Sequence, residues 1–322
     1  MKKATKFLSL LMASAMLLSL TACGEAANTA KYTVGICQLV EHPALDAATE
    51  GFQDALKAKL GDDVTFDVKN AQNDPSTCST ITNTFTTNGY DLILANATPA
   101  LQAASASTAD IPILGTSITD YGTALGISDW TGVSGKNVSG TSDLAPLDKQ
   151  AECIKELFPD AKNIGILYCS SEANSKYQSD VITEYLEDMG YICTVYTFSD
   201  SNDVASVTQN ACDGSDVIYI PTDNTAANCT EAINNVALPA KTPIFAGEEG
   251  ICKGCGVATL SINYYDIGYA AGEMAYDILV NDADPATMEI QTAKEAVKKY
   301  NTTNASELGI TIPDEYEAIK TE

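Results

Sequence analysis

Three hundred and twenty-two residues, 45% hydrophobic and 19% charged, suit one large or two medium domains and exclude wholesale disorder. Acids outnumber bases 43 to 18, every base is a lysine, and the formal net charge is −25. That balance excludes nucleic-acid binding by displaced phosphate counterions, and the lack of arginine excludes a bidentate clamp on a carboxylate or phosphate. The single histidine, His42, leaves one possible imidazole base for a nucleophile and no multi-histidine metal site.

At the N-terminus, Lys2, Lys3 and Lys6 precede a mostly apolar run from Phe7 to Leu20. The run is too short to span a bilayer comfortably but suits a secretory leader. Leu20-Thr21-Ala22-Cys23-Gly24 resembles the bacterial lipobox. The resemblance implies a signal peptide over 1–22, a diacylated Cys23 as mature N-terminus, and a lipidated tether over 23–31. It places the domain on the outer face of the cell membrane. Ten cysteines less Cys23 leave nine, which cannot all pair. Cys37, Cys169 and Cys193 lie in apolar, strand-like runs and read as small buried hydrophobes.

Further along, Thr33 to Val40 is a continuous apolar run, predicted as a buried strand. Residues 44–60 carry Leu45, Ala48, Phe52, Ala55, Leu56 and Leu60 at helical spacing. Val64, Phe66 and Val68 alternate as a strand. A helix over about 75–88 starts at Pro75, a strand covers Leu92 to Ala95, Thr98-Pro99 opens a helix, and Ile111 to Leu114 is a strand. The order then returns: a strand over Asn163 to Tyr168, a helix over about 174–189, and strands over Ile192 to Tyr196, Val217 to Ile220 and Ile244 to Ala246. Two such alternations predict two similar Rossmann-like α/β lobes with parallel sheets. Their junction is read in the Gly/Ser-rich stretch 131–143, with a second crossing near 258–266.

Ligands of open parallel sheets sit beyond the carboxyl ends of the strands. Those ends carry Gln38 and Glu41-His42, Asn96-Ala97-Thr98, Gly115-Thr116-Ser117, Ser170-Ser171-Glu172 with Asn174-Ser175, Pro221-Thr222-Asp223-Asn224, and Gly247-Glu248-Glu249. Hydroxyls, amides and carboxylates at helix starts fit a polar ligand, since free N–H groups and the helix dipole favour an anion there. Helix capping accounts equally well for any one of them, but six alike strand ends point to a composite site.

Longer segments narrow the reading. Phe158-Pro159-Asp160-Ala161-Lys162-Asn163-Ile164-Gly165 leads into Tyr168 to Ser175. Ile220-Pro221-Thr222-Asp223-Asn224, then Asn263 to Ala275, and finally Leu308-Gly309-Ile310-Thr311-Ile312-Pro313 follow. With the leader and the two lobes, these segments resemble the lipoprotein solute-binding proteins of ABC importers, in the subfamily that includes tryptophan- and tyrosine-binding members. The likeness covers about 31–316. It implies a type I, ribose-binding-like (periplasmic-binding-protein-like) fold with a three-crossover hinge, the third crossing near 288–292. The lobes are expected at 32–135 plus 262–288 and at 140–261 plus 289–322. Asn263 joins the candidate ligand residues. No cofactor and no metal are expected. The implied partners are a small solute, a membrane permease and the membrane itself through Cys23, with the protein a monomer. Hinge closure on the solute is the implied mechanism.

For the solute, an amino acid fits best, and the subfamily favours an aromatic one. Its carboxylate would be held by hydroxyls and N–H groups, and its ammonium by Asp223, Glu248 or Glu249. A sugar or nucleoside on the same fold is the alternative, with Trp130 as the only tryptophan available to stack on a ring. An enzyme is not expected, because no phosphate loop, G-x-G-x-x-G or G-x-S-x-G is present. A redox or metal module on Cys252-Lys253-Gly254-Cys255 lacks both further zinc ligands and the strand–helix setting of a thioredoxin motif.

Overall fold

The computed structural model describes residues 30–320. The leader and Cys23 lie outside them.

The chain builds its first lobe from β1 (Tyr32–Gln38), α1 (Pro43–Leu60), β2 (Val64–Asn70), α2 (Pro75–Thr87), β3 (Leu92–Asn96), α3 (Thr98–Ser107), β4 (Ile113–Ile118), α4 (Tyr121–Leu125) and β5 (Val138–Ser142). Local chemistry sets these boundaries. Prolines stand in the first turns of α1, α2 and α3, where a missing N–H goes unmissed. Asp74 caps α2 by accepting from the Ser76 N–H at 2.8 Å. Residues of β3 and β4 are buried throughout, as strands covered by helices on both faces must be.

The second lobe follows as α5 (Leu147–Leu157), β6 (Asn163–Cys169), α6 (Ala173–Asp188), β7 (Ile192–Phe198), α7 (Val204–Gly214), β8 (Val217–Ile220), α8 (Asn224–Asn228), α9 (Thr230–Ala240), β9 (Ile244–Ala246), α10 (Glu249–Gly254) and β10 (Ala258–Ser261). The chain then returns to the first lobe with α11 (Tyr264–Asn281) and β11 (Gln291–Thr292), and ends in the second with β12 (Val297–Tyr300), α12 (Thr302–Leu308) and β13 (Glu317–Ala318). The first sheet runs β11-β5-β4-β3-β1-β2 and the second β13-β12-β10-β9-β8-β6-β7. Every pairing is parallel except β10 with β12. This is the two-lobed, mostly parallel α/β architecture that the alternation predicts.

Two lobe boundaries differ from expectation. Residues 138–142 pair with β4 (Ile113 opposite Val138), so the first sheet extends past 140. Thr292, expected in the second lobe, pairs with Ser142 of β5. Glycine marks loops, and Gly132 and Gly135 do sit at positive φ, but their loop lies inside the first lobe. The chain leaves the first sheet through Asp143–Pro146, a segment without glycine, returns through Ile262 and Asn263, and leaves again through residues 293–296.

Helix α11 is fastened to α1 by close backbone approach. A Cβ on Gly51 would meet the Tyr265 carbonyl, one on Gly268 the Ala48 carbonyl, and one on Gly272 the Phe52 carbonyl. Below them Phe52, Leu56, Ala271 and Met274 pack on Val34 and Ile36. Each sheet has an apolar core on both faces. The nine described cysteines are free thiols: Cys37 and Cys78 share a core in the first lobe, and Cys252 and Cys255 share one in the second.

Candidate functional site

The carboxyl ends of both sheets meet at one enclosed cavity. From the first lobe it takes His42, Ala44 and Leu45 at the start of α1, and Ser117 near the end of β4. From the hinge come Asp143 and Tyr264, and from the second lobe Asn174, Thr222, Asp223, Asn224, Ala227 and Glu248. The lobes are drawn together: the cavity is about 10 Å³, room for about one water. A larger solute enters only when the lobes part.

Hydrogen bonds cross the cleft directly. Asn73 Nδ2 donates to Thr225 Oγ1 at 3.0 Å, and His42 Nε2 lies 3.3 Å from Asn224 Oδ1. At the hinge, Asp143 accepts from Thr119 Oγ1 at 3.0 Å and from the Tyr264 hydroxyl at 2.9 Å.

The second lobe's wall is organised by carboxylates. Buried Glu172 accepts from the Asn224 and Thr225 N–H groups at 2.9 and 2.8 Å, and from Asn224 Nδ2 and Thr225 Oγ1, both at 2.8 Å. Asp223 caps α8 by accepting from Ala226 N–H at 2.7 Å and reaches back to the Cys169 N–H at 2.8 Å. Glu248 caps α10 through the Gly250 and Ile251 N–H groups, the first at 2.6 Å. These helix starts are therefore occupied by the chain's own carboxyls, and a ligand carboxylate is left with hydroxyls and the start of α6.

Burial raises three of the cavity's acids. Asp223 is pushed up to about 8, by burial first and then by the neighbouring Glu172 charge. Burial also lifts Glu248 to about 7 and Asp143 to about 6. No lysine lines the cavity. An ionised carboxylate cut off from water and lacking a counter-charge is costly, so each holds its proton to higher pH. Burial lowers the pKa of His42, against the Asn224 hydrogen bond and the charges of Asp46 and Glu172.

Of the strand-end residues read from the sequence, the cavity brings together His42, Ser117, Asn174, Thr222, Asp223, Asn224 and Glu248. Others are spent inside one lobe. Gln38 donates to the Val40 carbonyl and Asp46 and accepts from Thr49 Oγ1 at 2.6 Å, locking β1 to α1. Thr116 accepts from Thr141 Oγ1 at 3.1 Å. Thr98 is buried in the first turn of α3, away from the cavity. Exposed Ser170 donates to the Phe198 carbonyl at 3.2 Å, and buried Ser175 donates to the Thr222 carbonyl at 3.4 Å, behind the wall. Asn263 is an exposed cap of α11. Asp143 and Tyr264 do not belong to the strand ends read from the sequence. Asn224 and Glu172 stood within motifs already noted, and the signal that marks them is a carboxylate two or three residues beyond a strand facing a second one.

Residues 33–321 match the family model for ABC transporter substrate-binding proteins. The chain is 40% identical over 295 residues to a tyrosine-binding protein of Clostridioides difficile, covering 87% of this chain and 85% of that one. Among solved structures, it matches a Streptococcus pneumoniae ABC domain in complex with L-Trp at 34% identity and a TM-score of 0.85, over 90% of this chain and 100% of that one. It also matches the ligand-free, open structure of a Clostridium difficile substrate-binding protein with adhesive properties, at 38% identity and a TM-score of 0.70, with the same coverage. The higher identity goes with the poorer superposition, in keeping with lobes that are drawn together here. The chain belongs to the ABC transporter substrate-binding protein family.

Proposed function

We propose that this member of the ABC transporter substrate-binding family captures a zwitterionic amino acid, an aromatic one, between its lobes and passes it unchanged to a membrane permease. One observation carries the reading: three buried carboxyls, held above the usual carboxylate range, surround a cavity that no lysine lines. Such a wall accepts an incoming ammonium, which supplies the missing counter-charge as the carboxyls give up their protons. The ligand carboxylate meets the Ser117 and Thr222 hydroxyls and the N–H groups at the start of α6. The names of the relatives support an aromatic side chain.

Bridging both lobes, the ligand favours the closed form; moving the population from 1:99 to 99:1 takes about 5.5 kcal/mol of differential affinity. Calorimetry of the mature domain with L-tyrosine and L-tryptophan is expected to show binding, with the ligand recovered unchanged. Binding of a sugar and of no amino acid overturns the ligand while leaving the fold untouched. Among the described residues no helix is long and apolar enough to cross a membrane, and we assign attachment to acyl chains on Cys23. Incorporation of labelled fatty acid is expected to stop in a Cys23→Ser variant, and continued labelling removes the anchor.

A further inference from the structure

The one histidine of the chain sits where it can select a ligand. His42 is the residue before α1, yet its side chain makes no capping bond. It is buried, with Nε2 facing Asn224 Oδ1 across the cleft. The orientation of that amide is fixed from behind: Asn224 Nδ2 donates to Glu172 Oε2, and a carboxylate only accepts. Oδ1 is therefore an acceptor, and His42 Nε2 must carry the hydrogen. Burial keeps the ring neutral. Nδ1 is then a bare lone pair, and it is buried without a partner in the cavity wall. Two more unpartnered buried acceptors line the same cavity, Asn174 Oδ1 and Ser117 Oγ, whose hydroxyl also accepts. Native proteins rarely leave buried polar atoms unpaired, and a group of them around one cavity marks what its occupant provides.

We propose that His42 Nδ1 accepts a hydrogen bond from the bound amino acid, while its Nε2–H latches the first lobe to Asn224 of the second. This rests on the amino-acid reading above and adds a selection rule: the ligand must bring a hydrogen to Nδ1. The donor is either the α-ammonium or a side-chain O–H or N–H such as a phenol or indole. A site built to hydrogen-bond a ligand group discriminates against the analogue without it, because its own buried partner is then left bare.

Two substitutions separate the roles of the ring. An asparagine places an amide near Nδ1 and loses the Nε2 donor; a glutamine keeps a donor near Nε2 and loses the acceptor at Nδ1. In calorimetry with L-tyrosine and L-tryptophan, His42→Gln is expected to lose affinity by about tenfold or more, and His42→Asn, which gives up the latch but keeps the acceptor, to lose less than His42→Gln. Thermal melts of the ligand-free variants confirm that both fold. Because His42 is the sole histidine, its two ring nitrogens give one pair of ¹⁵N resonances. The Nδ1 signal is expected to move in the hydrogen-bonded direction when ligand is added. An Nδ1 signal unchanged in a protein that binds, or affinity kept by His42→Gln and lost by His42→Asn, overturns the proposal and leaves the amino-acid reading standing. Failure of the parent to bind any amino acid overturns both. Phenylalanine distinguishes the donors: if it moves Nδ1 as tyrosine does, the ammonium is the source, and if it does not, the phenol is.

Discussion

The two walls of the cleft are made of different chemistry. The second lobe presents a dense polar lattice, in which Glu172, Asp223 and Glu248 are held by backbone N–H groups at the starts of α8 and α10. The first lobe presents Ala44 and Leu45, a neutral imidazole and one hydroxyl, with its own polar strand ends tied up internally through Gln38, Thr49 and Asn96. An acidic, preorganised wall can take up the ammonium of a ligand before closure, giving up a proton as it does so. The neutral wall then contributes on closure, through contact and one or two hydrogen bonds. The difference assigns binding energy to one lobe and selection to the other.

The sharpest way to break this comparison is to dismantle the lattice. Glu172→Ala leaves several buried donors of Asn174, Asn224 and Thr225 without their acceptor. It is expected to lower unfolding free energy by about 4 kcal/mol in urea titration. A loss under 1 kcal/mol means that the lattice is wet and its order incidental.

The pH dependence comes next. Asp143, Glu248 and Asp223 have folded pKa values near 6, 7 and 8, above their unfolded values. The folded state then binds more protons than the unfolded one, so their contribution is complete below about pH 4 and is lost as pH rises through 6, 7 and 8. Exposed acids such as Asp74 and Asp203 are shifted down and act only at lower pH. The ligand-free protein is expected to lose stability from pH 5 to 8, at about 1.4 kcal/mol per pH unit for each carboxyl that only folding keeps protonated. Chemical denaturation across that range reads the slope, and Asp223→Asn is expected to flatten it. A level profile in the parent contradicts the buried, unpaired state of these acids.

Asp223→Ala is expected to weaken amino-acid binding at least about tenfold, or 1.4 kcal/mol, and to lower the melting temperature as its cap on α8 is lost. Unchanged affinity with a lowered melting point leaves Asp223 as a cap alone. The smallest effect falls on the neutral wall. Ser117 is held at φ 56, a conformation that glycine adopts freely. Ser117→Gly is expected to hold or raise stability by up to about 1 kcal/mol while weakening binding less than Asp223→Ala does. A binding loss larger than that of Asp223→Ala inverts the roles given to the two walls.

The sequence carries most of the fold because its strands are apolar runs flanked by proline starts and glycine stops, signals that act within a few residues. It places the hinge poorly for the same reason: Asp143–Pro146 has no local mark, and which sheet accepts Val138–Ser142 is decided by β4, far away in sequence. The site shows the same divide. Thr222 and Asp223 follow a strand directly and stand in the cavity. Gln38 ends β1 and Thr116 lies within β4, and both spend their side chains inside their own lobe, because pleat and neighbours choose the face. Glu172 and Asn224 meet across 52 residues of chain, and nothing local announces that pairing.

The cysteines give the molecule an internal clock. Cys37 and Cys78 are shielded in the first lobe, and Cys252 and Cys255 in the second, with no disulfide joining any described pair. A thiol sealed in a core is alkylated only while that core is open. Timed alkylation of the native protein, followed by peptide mass analysis, therefore records how often each lobe opens on its own. Ligand addition should slow the two lobes by different amounts, and the lobe slowed more is the one that the ligand holds.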